Sequence, residues 1–269
     1  MSGAHEQRIR EAFTRQAGTF EDERLNVAFT SGLAWLLSYA GPRRDDVVLD
    51  VAAGTGIVSR ALAPDVARVT AVDSTAAMIA EGRQRAAAEA HANLEFVSGD
   101  AKHLPFADGA FTLVVTRFSL HHFADPSPAL AEMVRVLRPG GRLVVQDLAA
   151  STDPDIAVRQ DHVERMRDSS HVSMPPRGVV SRWLRDHGLA VDAVGEREIN
   201  RPVEQWLQQS VTAPDAAAVV RADLEGDLAG GETTGMRPHR VDADLWFRQR
   251  WEVTVAHRLS TEAAAGRAR

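Results

Sequence analysis

The chain has 269 residues, of which 44% are hydrophobic and 25% charged, with a formal net charge of −6 and no cysteine. That length suits one large domain or one domain with an added cap, and the apolar content excludes general disorder. Without cysteine there are no disulfides, zinc–thiolate sites or thiol nucleophiles, and the acidic balance opposes broad nucleic-acid binding.

Residues 1–20 mix charges throughout and lack the apolar core of a signal peptide. Helices are expected over 6–13 and 25–39, the second apolar on much of its circumference. From residue 47 to 148 strand-like and helix-like segments alternate, the pattern of a doubly wound, mostly parallel α/β sheet. Strands are predicted at 47–51, 68–72, 94–98, 111–116 and 142–147, with helices at 57–63, 76–90 and 128–137. The last of these helices is expected to stop at Pro139-Gly140-Gly141. Beyond the sheet come predicted helices at 155–167 and 179–187, a strand near 190–199, and helices near 203–210 and 215–228. A glycine-rich break at 226–235, a last strand at 251–257 and a fraying tail at 263–269 complete the chain. No apolar run approaches the roughly 20 residues of a membrane helix, so a cytoplasmic protein with no membrane partner is expected.

The segment Asp50-Val51-Ala52-Ala53-Gly54-Thr55-Gly56 ends a strand in a glycine loop and opens a helix. Gly54 and Gly56 let backbone approach a ligand where a Cβ would intrude. The next strand ends in Asp73, where nucleotide-binding sheets present a carboxylate to ribose hydroxyls; the alternative is an Asp that caps the following helix. A dinucleotide fingerprint wants Gly or Ala at position 59, which is Ser59. The Asp50 carboxylate would also repel a pyrophosphate. The pattern favours a cationic or zwitterionic nucleoside over a nicotinamide dinucleotide.

Five ordered motifs between residues 47 and 147 carry a resemblance: LDVAAGTG, AVDST with Met78, GDAKHLPFADGAF, LHHFADP and VLRPGGRLVVQD. The sequence resembles the class I S-adenosylmethionine-dependent methyltransferases, in particular the small-molecule branch that includes ubiquinone/menaquinone C-methyltransferases. The resemblance implies S-adenosyl-L-methionine as cofactor and S-adenosyl-L-homocysteine as product. It would put Asp50, Ala52, Ala53, Gly54, Thr55 and Gly56 at the methionine end, Asp73 on the ribose, Ser74 and Met78 along ribose and adenine, and Asp100 with Ala101 at the adenine edge. Met78 as core filler and Asp100 as a turn residue are the alternatives. The family pattern often has Gly where this chain has Ala52.

Arg117 is expected near the cofactor carboxylate or in a salt bridge. His121 and His122 follow the fourth predicted strand and are candidate general bases, since neutral imidazole suits proton removal near neutral pH. Adjacent histidines chelate one ion poorly, so no metal site is expected. Phe13, Gln16, Ala17 and Phe20 are spaced to close over the cofactor. His171 and Arg177 are candidate acceptor contacts, and Trp206, Met236, Arg237 and His239 are placed at the same mouth. Trp246, Phe247 and Trp251 are expected to pack on the sheet or a second subunit.

The expected organisation is a helical lid at 1–42, a cofactor core at 43–150, the rest of the sheet with substrate-cap helices at 151–260, and a tail at 261–269. The expected activity is methyl transfer to carbon, oxygen or nitrogen of a small organic molecule, by a monomer or homodimer. The arginine- and alanine-rich composition suggests a high-GC bacterium and secondary metabolism. The alternatives are a protein that binds the same cofactor for a non-methyl reaction such as a cyclisation, or a nicotinamide-dependent oxidoreductase.

Overall fold

Short runs of β-branched residues, buried on both faces, set the centre of the sheet. The computed structural model describes residues 2–22 and 27–260. Strands β1 (Val47–Val51), β2 (Arg68–Asp73), β3 (Leu94–Ser98), β4 (Phe111–Arg117) and β5 (Leu137–Leu148) run parallel. The spatial order is β3-β2-β1-β4-β5-β8-β6, with β8 (Asp244–Arg258) antiparallel to both β5 and β6 (Leu189–Pro202). A short β7 (His239–Val241) pairs with β8 as a hairpin that the sequence did not announce.

Alternation along the strands decides which helix each side chain meets. Leu49, Val51, Val114, Leu143 and Val145 share a core with α5 (Ser127–Val136) and α7 (Val179–Asp186). Their neighbours Val48, Leu113, Val115 and Val144 face the other way, onto α2 (Val27–Ala40) and α3 (Ile57–Leu62). Helix α4 (Ala76–Ala88) is nearly half alanine and gets close to the glycine loop through Gly82. A Cβ there would stand 2.4 Å from the Phe96 ring and 2.7 Å from the carbonyl oxygen of Thr55.

The element order matches the expected α/β architecture, with longer strands at the far edge. The predicted strands at 190–199 and 251–257 extend to Leu189–Pro202 and Asp244–Arg258, because they pair with each other along most of their length. Helix α5 ends at Val136, and Leu137 already pairs with Phe111. The Pro139-Gly140-Gly141 stop thus lies inside β5 as an irregularity, where Gly140 takes φ +76° and a Cβ on Gly141 would meet Leu137 at 2.7 Å. Helix α1 spans Ser2–Gln16, and the predicted start of the second helix at Leu25 and the tail at 263–269 lie outside the described residues. Helices α6 (Pro154–Arg167), α8 (Val203–Gln209) and α9 (Pro214–Leu228) pack together with β8 around Trp206 and Phe247. No helix among the described residues is long and apolar enough to cross a membrane.

Candidate active site

In a sheet of this order the chain crosses to the other side between β1 and β4, and the crevice at their carboxyl ends is where ligands bind. A cavity of about 880 Å³, counted to its open mouth, lies there. Its floor comes from the carboxyl ends of four strands and the turns beyond them: Asp50 and Ala52–Gly54 at β1, Asp73–Thr75 at β2, Gly99–Ala101 at β3, and Arg117–Ser119 at β4. Ile9, Phe13 and Phe20 cover it from the N-terminal segment.

The loop after β1 is tied on both sides. Asp73 accepts the Gly54 N–H at 2.8 Å with one oxygen and the Thr75 N–H at 2.8 Å with the other. It holds the glycine loop and fixes the turn ahead of α4, whose N-cap is Thr75 with no side-chain cap bond, so Asp73 does not cap the helix itself. Ala52 lies in the left-handed region at φ 55°, and Phe118 does so on the opposite wall at φ 52°. A non-glycine residue there costs about 1 kcal/mol or more. Such strain persists where surrounding contacts over-determine the backbone, commonly at a ligand site.

Asp50 is 1% exposed, and its Oδ2 accepts both the N–H and the hydroxyl of Ser59, at 3.1 and 2.6 Å. Ser59, which breaks the dinucleotide pattern, is therefore the partner that buried Asp50 requires. Burial, helped by the charge of Asp73, pushes the Asp50 carboxyl up to about 7 against the pull of the Ser59 bonds and Arg117. Burial likewise brings the Arg117 guanidinium down to about 9, with Asp50 pulling the other way. Arg117 donates its Nε–H to Gln146 at 3.1 Å and lies 4.9 Å from the Phe118 ring centroid.

Arg60, which sequence reasoning passed over, locks the outer side of the loop. It donates to the Thr55 carbonyl at 2.6 Å and bridges Glu21 at 2.5 Å and Glu89 at 3.0 Å, joining the N-terminal segment to α3 and to the end of α4.

A second chamber of about 480 Å³, counted to its open mouth, shares Phe13, Phe20, Phe118 and His122 with the first. Its remaining wall is polar: His121, Arg167, Asp168, Arg201, Gln209, Ser210 and Gln249, with Gln16, Leu148 and Trp251. The two adjacent histidines have different environments. His121 Nδ1 lies 2.5 Å from the Asp147 carboxylate. Burial disfavours its charge, but Asp147, with Glu164 and Asp168 beyond, holds its pKa above the usual value. His122 Nδ1 is 3.1 Å from the Ser170 carbonyl oxygen, which can only accept, so Nδ1 carries the hydrogen and Nε2 keeps a lone pair. Burial, together with the neighbouring His121, lowers the His122 pKa to about 3. Phe13 meets His122 edge-on with ring centroids 5.0 Å apart.

The first cavity thus gathers Asp50, Ala52, Ala53, Gly54, Asp73, Ser74, Asp100, Ala101, Arg117 and Phe20 from the sequence-derived set. Thr55 and Gly56 turn away from it. The Thr55 side chain is fully buried, and Gly56 packs so close to Phe96 that a Cβ would lie at 2.7 Å. Met78 is also fully buried and is not on the cavity wall. Asp100 accepts the Lys102 N–H at 2.9 Å, as a turn residue would, while still on the wall.

The acceptor candidates fare differently. His171 lies behind His121, buried and 3.0 Å from Asp161, and Arg177 pairs with Glu196 on the surface at 2.9 Å. Trp206 and Met236 belong to the core around α9, Arg237 pairs with Glu198, and His239 sits in β7, so none of the four lines either chamber. Trp246, Phe247 and Trp251 all lie in β8, with Trp251 reaching the second chamber.

Comparison with known proteins agrees with this geometry. Residues 49–145 match the family model described as a methyltransferase domain. The chain is 29% identical over 203 residues to the uncharacterized methyltransferase YcgJ of Bacillus subtilis, covering 76% of this chain and 80% of that one. The crystal structure of YcgJ superposes with a TM-score of 0.77 at 24% identity, over 86% of this chain and 99% of that one. The ubiquinone/menaquinone biosynthesis C-methyltransferase UbiE of Dinoroseobacter shibae is 38% identical over 187 residues, 66% of this chain and 71% of its own. The demethylmenaquinone methyltransferase of Clavibacter sepedonicus is 35% identical over 189 residues, 63% of this chain and 73% of its own.

Proposed function

The chain belongs to the class I S-adenosylmethionine-dependent methyltransferases, and from that premise we propose that it methylates a small organic acceptor held in the polar second chamber. The observation that carries this is the pair of adjoining cavities with a shared wall of Phe13, Phe20, Phe118 and His122.

The residues of the first cavity fit the cofactor. Asp50 offers a carboxylate to an ammonium group and Asp73 has lone pairs left for ribose hydroxyls. A Cβ on Gly54 would stand 3.7 Å from the Phe20 ring, filling the gap between loop and lid. Ser74, Asp100 and Ala101 line the nucleoside end of the same cavity in this reading, and Arg117 the methionine end. When bound, S-adenosylmethionine supplies a methyl group already activated by its sulfonium charge. The protein's own work is therefore positioning and exclusion of water, as Phe13 and Phe20 close the cavity from above. His122, with a lone pair on Nε2 and a depressed pKa, accepts a hydrogen bond from the acceptor and orients it rather than storing a proton.

The same reading divides the chain into a lid at 1–42, a cofactor core at 43–150 and an acceptor-binding part at 151–260. It places the enzyme in the cytoplasm, as a monomer or homodimer that takes no nucleic acid, which a net charge of −6 disfavours. The carbon acceptors in the names of the quinone relatives make ring-carbon methylation the first chemistry to try.

Calorimetric titration with S-adenosylhomocysteine, with NAD⁺ in a parallel cell, tests the cofactor reading. Binding of the first alone is expected, and binding of NAD⁺ alone would overturn it. The affinity should also rise with pH up to about 7. Below that value Asp50 holds a proton and attracts no ammonium group, and above it the carboxylate is charged before the ligand arrives. Asp50→Asn should flatten this profile, so an unchanged slope in the variant would separate Asp50 from the ligand.

A further inference from the structure

Arg201 is a buried cation that no carboxylate among the described residues reaches as an ion pair, and Glu164 acts on it only through space. It stands near the end of β6, 4% exposed, on the inner wall of the second chamber. Its Nη1 donates to Gln249 Oε1 at 3.1 Å and its Nη2 to Gln209 Oε1 at 2.6 Å. Both partners are neutral amide oxygens, and these bonds use two of the five N–H donors of a guanidinium. The nearby acids are engaged elsewhere. Glu164 faces Arg167 at 3.5 Å and accepts from Gln249 Nε2 at 2.8 Å, and Asp168 takes the N–H and hydroxyl of Ser170 at 2.9 and 2.6 Å. Arg167 also donates to Gln209 Oε1, at 3.3 Å, so one amide oxygen bridges two guanidinium groups. Removing a charged side chain from water without a directly paired opposite charge is costly, and burial brings the Arg201 guanidinium down to about 9 against the pull of Glu164. A fold that needed only structure here would be served by an apolar residue. A second observation points the same way: the Ser210 hydroxyl, on the wall of the same chamber, is buried with no hydrogen-bond partner among the described residues.

We propose that the methyl acceptor carries a carboxylate, bound in the second chamber by the free N–H donors of Arg201 and by the Ser210 hydroxyl. A guanidinium presents two parallel donors to the two oxygens of a carboxylate, which fixes orientation as well as charge. The carboxylate would point away from the wall shared with the cofactor cavity, leaving the rest of the acceptor to reach the methyl group past His122. This rests on the second chamber being the acceptor site.

The test uses protein saturated with S-adenosylhomocysteine and three acids of different shape, benzoate, 2-naphthoate and decanoate, each beside its methyl ester. Calorimetry should show at least one acid binding more tightly than its ester by about tenfold or more, the range for hydrogen bonds to a charged group. Arg201→Met should erase that preference while leaving the affinity for S-adenosylhomocysteine unchanged, and Ser210→Ala should reduce it. Equal binding of acids and esters, binding of no acid, or a preference that survives Arg201→Met would overturn the proposal. Should Arg201→Met fail to fold, the acid–ester comparison in the native protein and the Ser210→Ala variant decide it. If S-adenosylhomocysteine itself does not bind, the cofactor reading falls, and the acid–ester comparison on the unliganded protein still decides the role of Arg201.

Discussion

Asp73→Ala is expected to weaken S-adenosylhomocysteine binding by about 3 kcal/mol, a little over a hundredfold, as read by calorimetry. A side chain that only touched a ribose would cost less. Asp73 also accepts the Gly54 and Thr75 N–H groups, so its loss frees the glycine loop from the start of α4 as well as removing a ligand contact. Asp73→Asn separates the two roles. An amide oxygen can keep one of the backbone bonds, but its NH₂ group cannot accept the other. The asparagine variant should fall between alanine and native protein. Native affinity in Asp73→Ala would remove this residue from the site.

The second large effect is on stability. Asp147→Ala should cost about 3–5 kcal/mol, the usual range for breaking one side of a buried ion pair. Thermal denaturation should register this as a fall of roughly 5–9 °C for a chain of this size. Asp147 is 1% exposed and accepts from the Leu120 N–H at 2.7 Å, from His121 at 2.5 Å and from the Leu148 N–H at 2.7 Å. The alanine variant would leave three donors unmet in the interior.

The pH dependence follows from the directions of the two pKa shifts. Asp147 is buried, yet His121 and the backbone N–H groups hold its carboxyl below the usual range. Its contribution is full above the ordinary carboxylate value and is lost as pH falls through the depressed one. His121 is raised, so its contribution is full below the ordinary histidine value and is lost as pH rises through the folded one. The stability gap between native protein and Asp147→Ala should be widest between about pH 4 and 6.5 and narrow above. A gap that widens with alkaline pH would contradict a charged His121.

Local sequence determined much of this protein. The five parallel strands announced themselves because each is a short apolar run ended by a turn, and burial on both faces needs such runs. The first cavity was legible for a related reason. Asp50, the Ala52–Gly54 backbone, Asp73 and Asp100 all stand at strand ends, where a parallel sheet brings separate turns to one edge. Thr55, Gly56 and Met78 belong to the same motifs but face inward, since a motif records sequence spacing and not the direction of a side chain.

The second chamber was decided by tertiary structure alone. Its wall joins Gln16 of α1, His121 after β4, Arg167 at the end of α6, Arg201 of β6, Gln209 of α8 and Gln249 of β8. No two of these side chains are brought together by spacing along one element. A trace of the site did exist in β8, where Phe247, Gln249 and Trp251 are buried at every second position and a glutamine interrupts an aromatic row. That interruption shows that a polar group is buried, but not what it faces. Its partner Arg201 is supplied by the antiparallel pairing of β6 with β8, a long-range contact that settles only when the whole sheet closes.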